Sequence, residues 1–274
     1  MILTHDAWGR RRLCVGLLIG LLSVAASLSG CARQKVEAPP APRPAPSLKV
    51  AILQDKSGSV DSTRTPRITM AQFEILIAAL LKRGGSLAFG FIDDDSNKSF
   101  TTLRVAAPPI APSEPSKGGN PFKVAEAQAK YKEERARFEA NEQRWSQQTG
   151  QAVEAFRSAV KPLIEDKRRS KATDIFGGLN RADLYLAEND PAYSSDNPPA
   201  RVMLVISDGL DNMRRPMGEM RSQAQIILVN GSASVGVMKA FNAERFEGIE
   251  AALLHITDEP PQSKPEGTKS LAQK

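Results

Sequence analysis

Cysteine is nearly absent from this chain. Two occur among 274 residues, Cys14 and Cys31, which excludes a disulfide scaffold as the source of stability. Long apolar runs are missing as well. The run from Leu13 to Leu22 falls well short of the ~20 residues that a membrane-spanning helix needs. Charge of one sign is also lacking: 37 Lys and Arg stand against 31 Asp and Glu, a formal +6. The two signs are interleaved and aromatic residues make up only 5%, which argues against a nucleic-acid surface. Histidine is scarce, with two residues in all. No lysine or histidine stands out as an acid or base for catalysis.

What is present begins with an address. Arg10, Arg11 and Arg12 precede the apolar run, as in a secretory signal. The segment closes on Leu28-Ser29-Gly30-Cys31, which resembles a bacterial lipobox. Residues 1–30 are then a lipoprotein signal peptide, and Cys31 is the acylated first residue of the mature chain. Two acyl chains suffice for stable anchoring. The expected location is the bacterial cell envelope. Ala32 after the cysteine, in place of aspartate, favours the outer membrane on its periplasmic side over the inner one. Residues 31–47 form a Pro/Ala-rich tether, extended at ~3.1 Å per residue and reaching roughly 50 Å.

From residue 48 the pattern is that of a folded domain, expected to run to 257, with a polar, disordered tail over 258–274. Leu48 to Leu53 is a buried strand. It leads into Asp55, Ser57 and Ser59, alternate residues on a turn that Gly58 permits. These are hard oxygen donors at the carboxyl end of a core strand, which suits a small divalent cation. A helix is predicted from about Pro66 to Gly84, then strands over Leu87 to Ile92 and Phe100 to Val105 joined by the acidic turn Asp93 to Asn97. That turn is read as solvated rather than as a calcium site. Further on, Thr173 opens a helix, and Arg201 to Ser207 is a second buried strand ending at Asp208-Gly209. A strand over Ala224 to Val229, a helix near Val235 to Phe241 and a last strand near Ala251 to Ile256 complete the alternation. Such alternation predicts an α/β fold with a mostly parallel central sheet flanked by helices.

The helical insertion at about 107–170 interrupts that order. Val124, Tyr131, Phe138, Trp145 and Ala152 recur every seven residues, giving one narrow apolar stripe. The stripe packs along its own domain or, alternatively, forms a coiled-coil arm for a partner. Pro162 is expected to end or kink this helix.

The set Asp55, Ser57, Ser59 in Asp-Lys-Ser-Gly-Ser, Thr173 in Ala-Thr-Asp-Ile, and Asp208 in Ile-Ser-Asp-Gly resembles the von Willebrand factor type A family. The resemblance runs from about Leu48 to Ile256 and implies a Rossmann-like fold with a metal-ion-dependent adhesion site. It further implies that Ser57, Ser59 and Thr173 give hydroxyl oxygens to Mg2+ (or Mn2+ or Ca2+). Asp55 and Asp208 would then hold the ion directly or through water. A protein partner would complete the site with a carboxylate, and the protein would be a binding module and not an enzyme. Gln54 and Lys56 depart from the commonest motif, and Lys56 is expected to point to solvent. One alternative is a Mg2+-dependent phosphoryl-transfer or hydrolase enzyme with Asp55 as nucleophile. Another is a structural coiled-coil envelope protein with an empty metal site.

Overall fold

Eight consecutive buried residues, Leu48–Asp55, form β1, the central strand of the domain. The computed structural model describes residues 45–62, 65–95, 98–116, 118, 120–189, 197–209, 219–229 and 243–258. Along the chain β1 is followed by α1 (Ser59–Ser62), α2 (Met70–Arg83), β2 (Gly85–Ile92), β3 (Thr101–Val105) and α3 (Pro121–Glu165). Then come α4 (Ile175–Ala187), β4 (Ala200–Ile206), β5 (Gln225–Val229), β6 (Glu244–Phe246) and α5 (Ile249–Asp258). No helix among the described residues is long and apolar enough to cross a membrane.

The strands make one six-stranded sheet in the order β3-β2-β1-β4-β5-β6. All neighbours are parallel except β2 and β3, which form an antiparallel pair. A parallel strand covered on both faces must be apolar on both, which is why β1 shows no polar alternation. Leu48, Val50 and Ile52 pack with Phe73 and Leu76 of α2, Phe156 of α3 and Leu253 of α5. Ala51 and Leu53 pack on the other side with Ile175, Leu179 and Leu186 of α4. At the edge, β3 buries only Leu103 and Val105 and leaves Thr102 and Arg104 exposed, the alternation of a strand with one wet face.

Strand order reverses between β1 and β4, because β2 and β3 lie to one side of β1 and β5 and β6 lie beyond β4. In open α/β sheets ligands bind outside the carboxyl ends of the strands at such a switch point. Asp55 ends β1 there, and Ser207 and Asp208 follow β4.

Helix α3 runs unbroken for 45 residues, about 67 Å at 1.5 Å per residue. Its last stretch lies on the sheet, with Val153, Phe156 and Val160 in the core. Residues 121–148 contribute no buried side chain. The Trp145 indole donates to the Ala106 carbonyl oxygen at 2.8 Å, just past the lower end of β3. From that point the helix reaches back to Asn120, about 37 Å further. Residues 106–120 must cover the same distance, and at ~3.1 Å per residue they do so only when nearly extended. Pro108, Pro109, Pro112 and Pro115 supply that extension and are half-buried. The arm therefore leaves from the end of the sheet where Leu48 begins, away from Asp55.

Three local expectations change. The second helix starts at Met70 rather than near Pro66, because the Gln72 side chain accepts from the Thr69 backbone N–H at 2.9 Å and closes the first turn there. Pro162 sits inside α3 without ending it. Only one turn of helix follows, so its missing N–H removes a single bond near a terminus that frays in any case. The segment expected as a last strand is α5. Its buried residues Ile249, Ala252, Leu253 and Ile256 follow helical spacing, and His255 lies in its last turn. The edge strand is the short β6 instead. The predicted helix over Val235 to Phe241, residues 1–44 and the tail after Asp258 lie outside the described residues.

Candidate metal centre

Three loops converge at the carboxyl edge of β1 and β4. The first carries Asp55, Ser57 and Ser59. Asp55 is 3% exposed. One of its oxygens accepts the Ser57 backbone N–H at 2.8 Å and the other accepts the Ser207 hydroxyl at 2.6 Å. Burial pushes this carboxyl above the usual aspartate range. The bonds from Ser207 and Ser57 pull it back in part, and the nearby Asp208 charge raises it further. A cation bound here would offset the repulsion between the two buried carboxylates.

The Ser57 and Ser59 hydroxyl oxygens lie 2.9 Å apart. That separation is a hydrogen bond between the two hydroxyls, which holds both oxygens together at the loop end.

The second loop brings Thr173. Ser170 bridges Ser57 in parallel, and the Asp174 N–H donates to the Asp93 carbonyl oxygen at 3.0 Å. These contacts lay residues 170–174 across the ends of β1 and β2. The cap of α4 is Asp174 and not Thr173: its side chain accepts from the Gly177 N–H at 2.9 Å. Glycine at 177 leaves room for this cap, since a Cβ there would stand 2.2 Å from the Asp174 carboxylate and displace it. Released from capping, Thr173 is fully buried, and its hydroxyl oxygen has no hydrogen-bond partner among the described residues. A buried hydroxyl left unsatisfied costs about 1–3 kcal/mol, a cost that a ligand bound at this oxygen would offset.

The third loop carries Asp208, 1% exposed. Sequence reasoning passed over Ser207 beside it. The register pairs Gln54 with Ile206, so the next residues, Asp55 and Ser207, are neighbours. Aligning the ends of the two apolar runs would have found it.

The two departures from the motif have structural roles. The Gln54 side chain accepts the Ile68 N–H at 2.9 Å and so fixes the segment ahead of α2. Lys56 does not point to solvent: its ammonium meets Asp166 at 2.6 Å and lies 4.6 Å from the Phe91 ring centroid. Alternation along the chain sends Lys56 to the α3 face and Asp55 to the α4 face.

The acidic turn is only partly solvated. Asp94 and Asp95 are exposed, but Asp93 is buried and paired with Lys98 at 2.7 Å. No cluster of three or more His, Cys, Asp or Glu side chains occurs among the described residues. The candidate centre is built mainly of hydroxyls.

No protein-family model matches this chain, and no curated protein matches it in sequence. Among solved structures it is similar to proximal thread matrix protein 1 from the mussel byssus, at TM-score 0.33 and 10% identity. The alignment covers 79% of this chain and 47% of that one, so this chain spans about half the length of the mussel protein. A second structure of that protein carries a zinc-occupied MIDAS motif, with the same similarity values. Manganese-loaded TRAP protein of Plasmodium vivax matches at TM-score 0.33 and 11% identity, over 76% of this chain and 72% of that one. Likenesses this faint add nothing to what strand order and loop geometry already say.

Proposed function

We propose that this protein is a von Willebrand factor A-type binding module, lipid-anchored through Cys31 in a bacterial cell envelope. It recognises a protein partner through a divalent cation held by Asp55, Ser57, Ser59, Thr173 and Asp208. The buried, unpartnered Thr173 hydroxyl carries this reading. An ion there would supply an electrophilic position open to a carboxylate of the partner. Neutral hydroxyls form the majority of the donor set, which leaves a bound ion under-compensated and suits Mg2+, with Mn2+ or Ca2+ as substitutes. Asp55 is oriented by Ser57 and Ser207, so little is reorganised when an ion enters.

The non-enzymatic reading is supported by what surrounds Asp55. Both of its oxygens are engaged. The nearby lysines, Lys56 and Lys98, are each committed to a carboxylate. His255 contacts Glu244 and Gln225 within α5, β6 and β5.

Calorimetric titration of the full-length protein in detergent with Mg2+ and Mn2+ tests the proposal. Saturable binding is expected in the parent and none in Asp55→Ala. Thr173→Val gives an opposed pair of effects: the ion-free domain gains about 1 kcal/mol, because an unsatisfied hydroxyl is removed, while ion affinity falls at least ~10-fold. No binding by the folded parent at millimolar ion would sink the metal mechanism and shift recognition to the arm.

A further inference from the structure

The five residues that follow α3 grip the cation loop without contributing a ligand to it. Asp166, the C-cap residue of α3, takes the Lys56 ammonium at 2.6 Å, with the two side chains 18% and 14% exposed. Arg168 holds Asp166 in place through its backbone N–H and its guanidinium, each at 3.0 Å. These partners, Arg168 first and then Lys56, keep the Asp166 carboxyl well below the usual aspartate range. Two residues on, the Ser170 N–H donates to the Lys56 carbonyl oxygen at 2.9 Å, while the Lys56 N–H donates to the Ile92 carbonyl oxygen at 3.0 Å. Ser57 itself bridges Ser170. Lys56 is thus fixed at its side chain, its carbonyl and its amide, and it lies directly between Asp55 and Ser57.

We propose that Asp166 is a positioning residue for the cation site. Its carboxylate keeps the one ammonium of the loop on the α3 face, away from the ion. Lys56 is the only basic residue in the stretch Gln54 to Ser59. Released from Asp166, its flexible four-carbon stem lets the charge swing over the loop end, where it competes with a divalent cation for the same carboxylates. Partners one step removed from a metal commonly change its affinity 10- to 100-fold. The pair also ties the cation loop to the helix that carries the arm, since Asp166 ends that helix.

This inference rests on the proposed metal site, and its test separates the two. Mn2+ affinity is measured by calorimetry on the full-length parent, Asp166→Asn, Lys56→Met and the double variant, with ion-free thermal unfolding of each alongside. Asp166→Asn is expected to weaken Mn2+ binding about 10-fold with little change in ion-free unfolding. Adding Lys56→Met should recover most of that loss, because the stray ammonium is gone; a merely structural role for Asp166 predicts no such rescue. A parent that binds no ion overturns the metal reading and this inference with it. A parent that binds while Asp166→Asn binds equally well overturns this inference alone. Equal weakening in the single and double variants also overturns it, since the effect would not pass through Lys56.

Discussion

One helix, α3, behaves as two different objects. Its root buries Thr149, Val153, Phe156 and Val160, at intervals of four, three and four residues. Its projecting stretch, residues 121–148, places single large side chains seven apart, and Val124, Tyr131, Phe138 and Trp145 are no more than half-buried. Both stretches are rich in helix formers, so propensity does not separate them. Density of the apolar pattern does. Two apolar residues per heptad make a stripe wide enough to seat a helix on a core, whereas one per heptad leaves a line too narrow for that. At its lower end that line meets the chain leaving β3, where Trp145 bonds Ala106. The remaining faces of the arm carry charges, several in i,i+4 pairs such as Arg135 with Glu139; such exposed pairs add little individually.

The comparison breaks most visibly at Phe156. This ring is 2% exposed and packs edge-on to Phe73 at 5.8 Å. Phe156→Ala is expected to cost about 3–5 kcal/mol in denaturant unfolding. Trp145 stands at the boundary, half-buried and bonded to Ala106. Trp145→Ala should cost about 1–2 kcal/mol, from partial burial and one lost hydrogen bond. Phe138→Ala, on the arm, should change stability by no more than ~0.5 kcal/mol. If its cost matched that of Phe156, the arm would be part of the core and the contrast would fail. The smallest effect is expected from removing residues 107–144 and joining Ala106 to Trp145 through a short glycine-rich turn, since these two residues already touch. Cation affinity should then stay within about twofold of the parent, because the arm leaves the sheet at the end opposite Asp55. A loss of ion binding would show the arm acting on the site through its root, where Asp166 and Lys56 meet.

That opposition of ends bears on recognition. β1 spans about 26 Å and the arm adds roughly 37 Å beyond it. A partner seated on the cation therefore lies some 60 Å from the arm tip. An arm that assists the same contact needs a partner long enough to reach both, or acts through the root. At the tip, Phe122 is 85% exposed, and nothing among the described residues covers it.

Much of this was legible in the residues. A strand buried on both faces has to be apolar throughout, so β1 and β4 announce themselves, and the hydroxyls and carboxylates that follow them fall at the sheet edge by topology alone. Asp55, Ser57, Ser59 and Asp208 could be singled out because each stands just past an apolar run, whereas Thr173 stood out only through the family resemblance. The misreadings came where local signals compete. Thr173 and Asp174 are both good caps, and only the fold decides that Asp174 caps the helix and the Thr173 hydroxyl is left over. Ile249 to Ile256 is short and apolar enough to suit strand or helix, and its packing against α2 and β5 settles the choice. Long-range partners left no local trace. Ser207 bonds a residue 152 positions away and Lys56 one 110 positions away, and no periodicity encodes either contact. Local chemistry and periodicity are written in neighbouring residues, so the sequence by itself determined the kind of sheet, the hydroxyls and carboxylates at its edge and the existence of a long helix. The direction of the arm, the cap that frees Thr173 and the clamp on Lys56 depend on which distant segments meet, and only the tertiary structure decided those.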